Sequence, residues 1–340
     1  MLDSNHLANS PRMGSNLILR VLRALSDYMS RLLPVPAMSA LESQAHKDFI
    51  DIQKLEDQEI AERYKISPHI EGAARMGSLV APIRMITPHI VAKKGIDKSI
   101  WEPQTMKLVR SQTAIPVPDV LRVAKHKGVV YLLMEHIPGR TLEECWSEIS
   151  IWRKIWVAWK LRSYIRQLRR IRIPQIDARV PGPLMEDLSH PRQCTNPIFG
   201  EFEVGPFPSF SDLIQWFNDR LLVALRFDPI PNWENQPLKV LGPLVLTHGD
   251  LVPRNIILGE DGRLWIIDWG SSGVYPMWFE YATMMRSANR PYNGLKKAPL
   301  SWFRTIRFAA GTYDTEYRFT ERIAFAVTTF AFIPVSEALS

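Results

Sequence analysis

Three polar side chains in the second half of the chain could together hold a metal ion and move a proton. They are Asp250, Asn255 and Asp268, and the apolar runs 256–258 and 264–267 separate the last two. Such runs are typical of short buried strands, which would place Asp268 at the end of a buried hairpin. A carboxylate buried there as an unpaired ion would be very costly. Because carboxylate and amide oxygens suit Mg²⁺, we expect Asn255 and Asp268 to hold it.

The register of this hairpin is the geometric basis of the expected metal site. The Asp-Gly pair at 261–262 predicts a two-residue turn, in which both positions have positive φ. Glu260 would then pair with Arg263 and, further out, Asn255 would pair with Asp268, with their Cβ atoms about 4.5 to 5.5 Å apart. A bulge would shift this pairing. If the hairpin pairs one residue out of phase, the geometric argument for the metal site fails.

A second acid, Asp250, lies five residues before Asn255 on a loop that also contains Gly249 and Pro253. It could accept a proton from a substrate hydroxyl while a metal neutralises developing phosphate charge. Either acid taken alone would more often cap a turn or a helix, but the three residues at these spacings favour a site. His248 has two interpretations: a structural one, in which it hydrogen-bonds backbone groups and holds the loop, which we favour, and a catalytic one.

The elements that must position these residues begin with a region of short strands, from about residue 66 to 137. The apolar run 90–92 predicts a strand, and residues 102–109 follow helical spacing with Pro103 in the first turn. The run 129–134 predicts a buried strand that ends at a Pro-Gly turn signal.

After that turn the pattern is mainly helical. Thr141 and Glu144 have the spacing of a capping box. Residues 174–208 are rich in proline and predict an irregular insert, followed by a helix over 211–225 and a helical region over 276–340. Before the insert, helical periodicity places five apolar residues on one face of a long helix: Ile151, Ile155, Ala158, Ile165 and Leu168.

The residues of the hairpin region carry a family resemblance. The segment 248–255 reads His-Gly-Asp, four residues and Asn, which resembles the catalytic loop of protein-kinase-like enzymes, and the Asp-Trp-Gly sequence at 268–270 resembles their metal-binding loop. Gly249 in place of the usual arginine, and tryptophan after the acid, are similar to the aminoglycoside phosphotransferase-like family, especially its large fungal set. The resemblance covers roughly residues 75 to 285.

The resemblance implies an α+β, bilobal protein-kinase-like fold. A small N-lobe with an antiparallel sheet and one helix would bind nucleotide, and a larger, mainly helical C-lobe would carry the catalytic loop and the acceptor site. We therefore expect an N-terminal extension, helical or disordered, over 1–65, the N-lobe over 66–137 and the C-lobe over 138–340. The resemblance also implies that Asp250 is the general base and that Mg²⁺ is held by Asn255 and Asp268.

The resemblance further implies a nucleotide site in the N-lobe. Lys93 matches the strand lysine that contacts the ATP phosphates, and Glu102 matches the helix acid that pairs with it. The adjacent Lys94 leaves this register open. Backbone groups of Glu135 and Ile137 would hold the adenine ring through a carbonyl and an amide.

Some features depart from the related patterns. No Gly-x-Gly-x-x-Gly loop precedes the strand lysine, and Gly72 and Gly77 are the only glycines nearby. No recognisable activation segment follows Asp268, which counts against a protein kinase. The insert carries four acids, which could receive a cationic acceptor or simply lie on a surface loop: Glu186, Asp187, Glu201 and Glu203.

Composition limits the class of protein. The chain has 340 residues, 46% of them hydrophobic, and its net charge of +7 is too diffuse to indicate nucleic-acid binding. Its longest apolar candidate, residues 323–335, resembles a buried helix more than a membrane span. Two cysteines and no secretory pattern favour the cytoplasm, although a few early arginines weakly suggest a transit peptide.

The sequence as a whole predicts an ATP- and Mg²⁺-dependent phosphotransferase that acts on a hydroxyl of a small molecule. The partners expected are therefore ATP and a small-molecule acceptor, without nucleic acid or membrane, and the oligomeric state stays open. The main alternative is a nucleotide-binding pseudokinase or interaction module with weak or no catalysis. A metal-dependent phosphohydrolase is a further alternative, although that class normally has more His and Asp ligands.

Overall fold

The computed structural model describes residues 43–70, 83–96, 101–200, 202–227, 236–240, 242–289 and 297–331. The predictions for residues 1–42, Gly72, Gly77 and Glu201 lie outside these ranges. In the first part of the chain, helices precede and follow strands of a four-stranded antiparallel sheet. In chain order these elements are α1 (Ser43–Lys54), α2 (Asp57–Ile66), β1 (Ile83–Thr87), β2 (Ile90–Ile96), α3 (Trp101–Gln112), β3 (Val120–His126) and β4 (Val129–Glu135).

The sheet has the strand order β1-β2-β4-β3. Apolar residues on one of its faces, including Ile90 and Leu133, form a cluster with Ile52, Ile60 and Tyr64 of α1 and α2. These two helices therefore cover one face of the sheet, and burying this apolar surface stabilises the lobe.

Polar contacts also fasten the two N-terminal helices to the sheet. Nη1 of Arg122 on β3 donates to the carbonyl oxygens of Ile52 and Leu55, and its Nη2 contacts the carboxylate of Asp57. The backbone N–H of Lys125 donates to that same carboxylate at 2.8 Å. The segment 43–66 is thus packed against the N-lobe by both apolar and polar contacts.

The rest of the chain is mainly helical and holds two small sheets, with strand orders β5-β7-β8 and β6-β9. In chain order its elements are β5 (Gly139–Thr141), α4 (Leu142–Cys145), α5 (Ile151–Leu168), α6 (Pro174–Asp177), α7 (Phe210–Phe227), β6 (Leu244–Thr247), β7 (Ile256–Gly259), β8 (Leu264–Ile266), β9 (Gly273–Pro276), α8 (Phe279–Asn289), α9 (Leu300–Ala310), α10 (Asp314–Arg322) and α11 (Ala324–Thr329). Thr141 caps α4 in a capping box with Glu144, as the spacing predicts.

The long helix α5 is confirmed, but its predicted apolar face is only partly buried. Ala158, Ile165 and Leu168 are buried, whereas Ile151 and Ile155 are exposed. The helix has 18 residues and its packing partner α9 has 11. At 1.5 Å per residue these lengths are about 27 and about 17 Å, so α9 is too short to cover the whole of α5.

The predicted fold class is confirmed: this is an α+β, bilobal protein-kinase-like fold. A small antiparallel sheet with α3 precedes a larger helical part, and the hairpin β7–β8 lies where the two parts meet. None of the helices in the described ranges is long and apolar enough to cross a membrane.

Candidate active site

The hairpin β7–β8 forms, but the predicted register is wrong by one residue. Ile256 pairs with Ile266 and Leu258 with Leu264. The backbone N–H of Ile267 donates to the carbonyl of Asn255 at 3.0 Å, so Asn255 faces Ile267 and not Asp268. The argument that opposed strand positions bring the amide and the acid together therefore fails.

The turn explains the shift. Gly262 has φ +76°, but Asp261 is not among the residues with positive φ, so the two-residue turn predicted here does not form. The loop has three residues, between Gly259 and Arg263, whose N–H and carbonyl meet at 3.0 Å. The carboxylate of Asp261 accepts the backbone N–H of Arg263 at 2.9 Å, which stabilises this wider loop.

The backbone conformation of Asp268 and its contact with Lys93, and not the strand pairing, place this acid in the site. Its backbone is left-handed, with φ 63° and ψ 71°, which turns the chain sharply after β8. Its Oδ1 lies 2.7 Å from Nζ of Lys93. The same Nζ lies 2.7 and 2.9 Å from the two carboxylate oxygens of Glu102 on α3. One lysine thus joins an acid from each lobe.

The geometry also distinguishes the two adjacent lysines. Neighbouring residues of a strand point to opposite faces of the sheet. Lys93 points towards Glu102 and its side chain is 14% exposed, whereas Lys94 is exposed on the other face. Of the two candidates, Lys93 is the one that lies in the cleft.

Burial and the shared lysine set the charges of this cluster. Burial opposes the charged form of Asp268, but the positive charge of Lys93 outweighs it and lowers the pKa of Asp268 to about 2. Burial raises the pKa of Glu102, and the nearby charge of Asp268 adds to that rise. The two acids raise the pKa of Lys93 in spite of its burial, so the ammonium group is charged at neutral pH.

The catalytic-loop acid is held through one oxygen. Nη2 of Arg254 and Nδ2 of Asn255 donate to Oδ2 of Asp250 at 2.7 and 2.9 Å. Oδ1 of Asp250 accepts no hydrogen bond from the described residues, and the side chain is 14% exposed. Burial raises the pKa of Asp250, and the charge of Arg254 opposes that rise. A fixed carboxylate with one open oxygen is suited to accept a proton.

His248 has the structural role that we favoured. Its Nε2 donates to the carbonyl of Ile267 at 3.0 Å, and its Nδ1 accepts the backbone N–H of Asp250 at 3.2 Å. Burial lowers the pKa of His248 to about 4, so the ring is neutral at physiological pH. A neutral ring with its proton on Nε2 fits both hydrogen bonds. His248 therefore ties the catalytic loop to the end of β8.

Glu280, a buried acid on α8, is a site residue that was not expected from the sequence. It accepts the backbone N–H of His248 at 2.7 Å, and the backbone N–H of Gly249 also donates to it. Burial raises the pKa of Glu280 to about 7, and its Oε1 has no partner among the described residues. The signal available in the sequence was its position directly after Trp278 and Phe279. An acid next to aromatic residues is expected to be buried, and a buried acid needs hydrogen-bond donors around it.

Gly249 lies where the two functional loops approach most closely. Its φ is +79°, and a Cβ built on it would lie 2.2 Å from the carbonyl oxygen of Ser271. Nδ2 of Asn196, from the insert, lies 3.4 Å from the carbonyl oxygens of both Gly249 and Ser271. A side chain such as the arginine usual in protein kinases does not fit here, which accounts for the glycine.

The segment after β4 offers a free backbone donor. The N–H groups of Glu135 and His136 donate to the carbonyls of Asp119 and His89, at 2.9 and 2.8 Å. The N–H of Ile137 has no hydrogen-bond partner in the part of the chain that the structure describes. That free N–H is what an adenine-binding segment requires, and the role of Glu135 and Ile137 stays a prediction.

The oxygen donors of the site fit a magnesium ion. Asn255 uses Nδ2 to bind Asp250, and neither its Oδ1 nor Oδ2 of Asp268 is engaged by another described residue. Mg²⁺ in kinase sites is bound by one or two side chains together with substrate phosphates and water. Across the described ranges, no group of three or more His, Cys, Asp or Glu side chains could form a closed metal site.

The acids of the insert lie largely on the surface. Glu186 and Asp187 are exposed. Glu186 accepts Nε2 of Gln104 on α3 at 2.8 Å, and Asp187 contacts Nδ1 of His190 at 2.8 Å. For these two residues the structure favours the surface loop over a cationic-acceptor pocket.

Comparisons with known proteins agree with this architecture. The model of the phosphotransferase enzyme family matches residues 101–301. An aminoglycoside 3'-phosphotransferase of Niallia circulans is 27% identical over 203 residues, which are 58% of this chain and 70% of that protein.

The solved structures that are similar to this chain include a complex of the aminoglycoside phosphotransferase APH(2'')-IIa with streptomycin and ATP. It is 14% identical, with 89% of this chain and 99% of that chain covered and a TM-score of 0.46. The enzyme APH(3'')-Id of Streptomyces rimosus in complex with ADP and streptomycin is also 14% identical, with 85% and 99% covered and a TM-score of 0.43.

Proposed function

Because this chain belongs to the phosphotransferase enzyme family, we propose that it is an ATP- and Mg²⁺-dependent kinase that phosphorylates a hydroxyl of a small molecule. The observation that carries the proposal is the arrangement around Asp250. One carboxylate oxygen is fixed by Arg254 and Asn255 and the other is open, and Asp268, which binds Lys93, is close enough for its charge to raise the pKa of Asp250.

In this proposal Asp250 is the general base. Its Oδ1 accepts the proton of the acceptor hydroxyl as the hydroxyl oxygen bonds to the γ-phosphorus, and the bond from phosphorus to the leaving ADP oxygen breaks. Arg254 and Asn255 keep the carboxylate from rotating. Burial keeps the pKa of Asp250 above its usual range, which makes it a stronger base.

The N-lobe residues hold the nucleotide. Lys93 donates to the phosphates, and Glu102 keeps its ammonium group in place through two short contacts. The free N–H of Ile137 and the carbonyl of Glu135 would hold the adenine ring. Asn255 and Asp268 would hold Mg²⁺, which supplies charge neutralisation on the transferring phosphoryl group.

The acceptor is a hydroxyl compound whose class a screen can identify. An aminoglycoside 3'-phosphotransferase is among the relatives, so aminoglycosides belong in the panel. Glu186 and Asp187 are exposed and held by side chains of this chain, so neutral and anionic alcohols belong there as well. ATP as donor and two free, buried cysteines favour the cytoplasm.

The test is transfer of labelled phosphate from ATP to a pool of small alcohols, sugars and aminoglycosides by the full chain. We expect a labelled product with wild type and at least about a thousandfold less with Asp250→Asn, which keeps the side-chain shape but removes the base. Asp51→Asn, at an exposed acid on α1, is the matched control and should keep wild-type activity.

The rival pseudokinase gives a different result in the same experiment. It would bind ATP with Mg²⁺ but label no acceptor, and Asp250→Asn would then change nothing. Phosphate release from ATP at an unchanged rate without any acceptor would instead indicate a phosphohydrolase.

A further inference from the structure

The turn that carries Asp268 is fastened to α3 by a tryptophan outside the expected catalytic set. Nε1 of Trp101 donates to the carbonyl oxygen of Gly270 at 3.0 Å, across 169 positions of sequence. Trp101 is the first residue of α3 and is 7% exposed. Its indole N–H therefore joins the N-lobe helix directly to the turn that follows Asp268.

The neighbouring residues, Glu102 on α3 and Trp269 in the turn, also lie next to each other. The carboxylate of Glu102, which also holds Lys93, lies next to the backbone of Trp269 and Gly270, and the N–H of Trp269 lowers the pKa of Glu102. Two consecutive residues of α3 therefore contact two consecutive residues of the turn. The first turn of α3 therefore packs directly against the turn that follows Asp268.

The turn needs such support because of its backbone. Asp268 is a non-glycine residue at φ 63°, a conformation that costs energy and persists only where the surroundings impose it. Within the turn, Nε1 of Trp269 donates to the carbonyl of Ile266 at 3.1 Å, and the N–H of Ser272 donates to the carbonyl of Trp269 at 3.0 Å. These bonds hold the turn to the C-lobe, whereas Trp101 holds it to α3.

We propose that Trp101 is a positioning residue for the divalent metal. Its N–H holds Gly270, and thereby keeps the carboxylate of Asp268 turned towards the cleft where the metal and the nucleotide phosphates meet. The inference rests on the proposed function, because it concerns the same metal site. It adds that metal affinity depends on the position of α3 through a hydrogen bond that touches neither metal nor substrate.

Trp146 provides a matched control within the chain. It is 5% exposed, and its Nε1 donates to Oγ of Ser301 at 3.0 Å, away from the turn. Trp101→Phe and Trp146→Phe each remove one indole N–H of the same kind from a buried ring. A merely structural role would give both variants the same behaviour in metal binding.

The experiment measures Mn²⁺ binding to the full chain in the presence of a non-hydrolysable ATP analogue, by the EPR signal of free Mn²⁺. We expect Trp101→Phe to weaken Mn²⁺ binding by about fivefold or more, the effect of losing one hydrogen bond at a site. Trp146→Phe should stay within about twofold of wild type. Thermal unfolding of both variants reports their stability separately.

A second variant tests the same hydrogen bond if Trp101→Phe does not fold. β-(3-Benzothienyl)alanine placed at position 101 keeps the ring shape and removes only the N–H group, and we expect the same weakening. Wild-type affinity for Mn²⁺ in a folded variant of either kind would overturn the inference alone. Absence of nucleotide-dependent Mn²⁺ binding by wild type would overturn the proposed function as well.

Discussion

Nζ of Lys93 lies 2.7 Å from Oδ1 of Asp268, although the two residues are 175 positions apart in the chain. The same ammonium group binds Glu102, so a single positive charge balances two carboxylates. The contact joins the sheet of one lobe to the loop that follows the hairpin of the other. It also makes the two acids depend on the lysine for their charged state.

Lys93→Met should abolish activity and destabilise the fold. The change leaves Glu102 and Asp268 facing each other without a cation, and breaking a buried ion pair costs about 3 to 5 kcal/mol. Turnover of ATP should fall by about 100-fold or more, because a donor to the phosphates is lost. Lys94→Met, at the exposed neighbour, is the control and should leave both the unfolding midpoint and turnover near wild type. Equal effects of the two changes would contradict the assignment of Lys93.

Arg254→Gln should shift the pH dependence of catalysis. Arg254 opposes the rise that burial causes in the pKa of Asp250, so its loss raises that pKa further. The acidic limb of the rate profile should move to higher pH, because the carboxyl of Asp250 then loses its proton only at a higher pH. Arg140→Gln removes an exposed ion pair with Glu148 and should leave the profile in place. The measurement is the rate of phosphate transfer across the pH range. If the acidic limb of Arg254→Gln coincides with that of wild type, Arg254 does not control the pKa of Asp250.

Gly249→Ala should be far more harmful than Gly262→Ala. Both glycines have positive φ, at +79° and +76°, so both changes cost about 1 to 2 kcal/mol for the left-handed backbone alone. A Cβ at 249 would also lie 2.2 Å from the carbonyl oxygen of Ser271, whereas a Cβ at 262 meets nothing within 4 Å. We expect an additional loss of about 2 kcal/mol or more and a loss of turnover at 249 only. Urea unfolding and ATP turnover of both variants decide this, and similar results at the two positions would refute the close approach of the loops.

Glu280→Gln should remove a pH dependence of stability. Burial raises the pKa of Glu280 to about 7 from an ordinary value of 4.5. Its contribution to stability is therefore fully present below about pH 4.5 and is lost as the pH rises through about 7, a change of up to about 3 kcal/mol. The glutamine does not titrate but can still accept the N–H groups of His248 and Gly249. Relative to wild type, the variant should thus gain stability between about pH 5 and about pH 7.5.

The titration of His248 changes the stability with pH in the opposite direction to that of Glu280. The effect of Glu280 is therefore measured as the difference in unfolding free energy between wild type and Glu280→Gln. The pKa of His248 is lowered to about 4 from 6.5, so its contribution is present above about pH 6.5 and is lost as the pH falls through about 4. Because both proteins contain His248, its effect cancels in the difference between their unfolding free energies. A difference that is constant with pH would show that Glu280 does not titrate in this range.

Much of the architecture could be predicted from the sequence because local signals agreed with the fold. Apolar runs and turn residues correctly predicted β4, α3 and the capping box of α4, and the family resemblance correctly predicted the fold class. Trp101 carries no local signal of its role, and the signal at Glu280 is limited to an acid that directly follows two aromatic residues. Their partners lie 169 and 32 positions away, and only the folded chain brings them together.

The hairpin register shows a limit of local reasoning. The Asp-Gly pair at 261–262 is compatible with two turn types, and the side chain of Asp261 decides between them by accepting the N–H of Arg263. The residues of the site nevertheless lie near one another, because the left-handed backbone of Asp268 and the charge of Lys93 direct that acid towards the cleft. Membership of the phosphotransferase family therefore rests on the family match, and the proposed general base rests on the contacts of Asp250 and not on facing strand positions.

The helices α1 and α2 limit how far the chain can be shortened from its N-terminal side. A gene fragment that begins at residue 66 would strip the hydrophobic covering from Ile90 and Leu133 and would deprive Arg122 of its carbonyl acceptors. We expect such a fragment to aggregate, as bare apolar sheet faces do. The segment 43–66 covers one face of the sheet and has to be kept. An N-terminal affinity tag or fusion partner should therefore be attached before this segment and should not replace it.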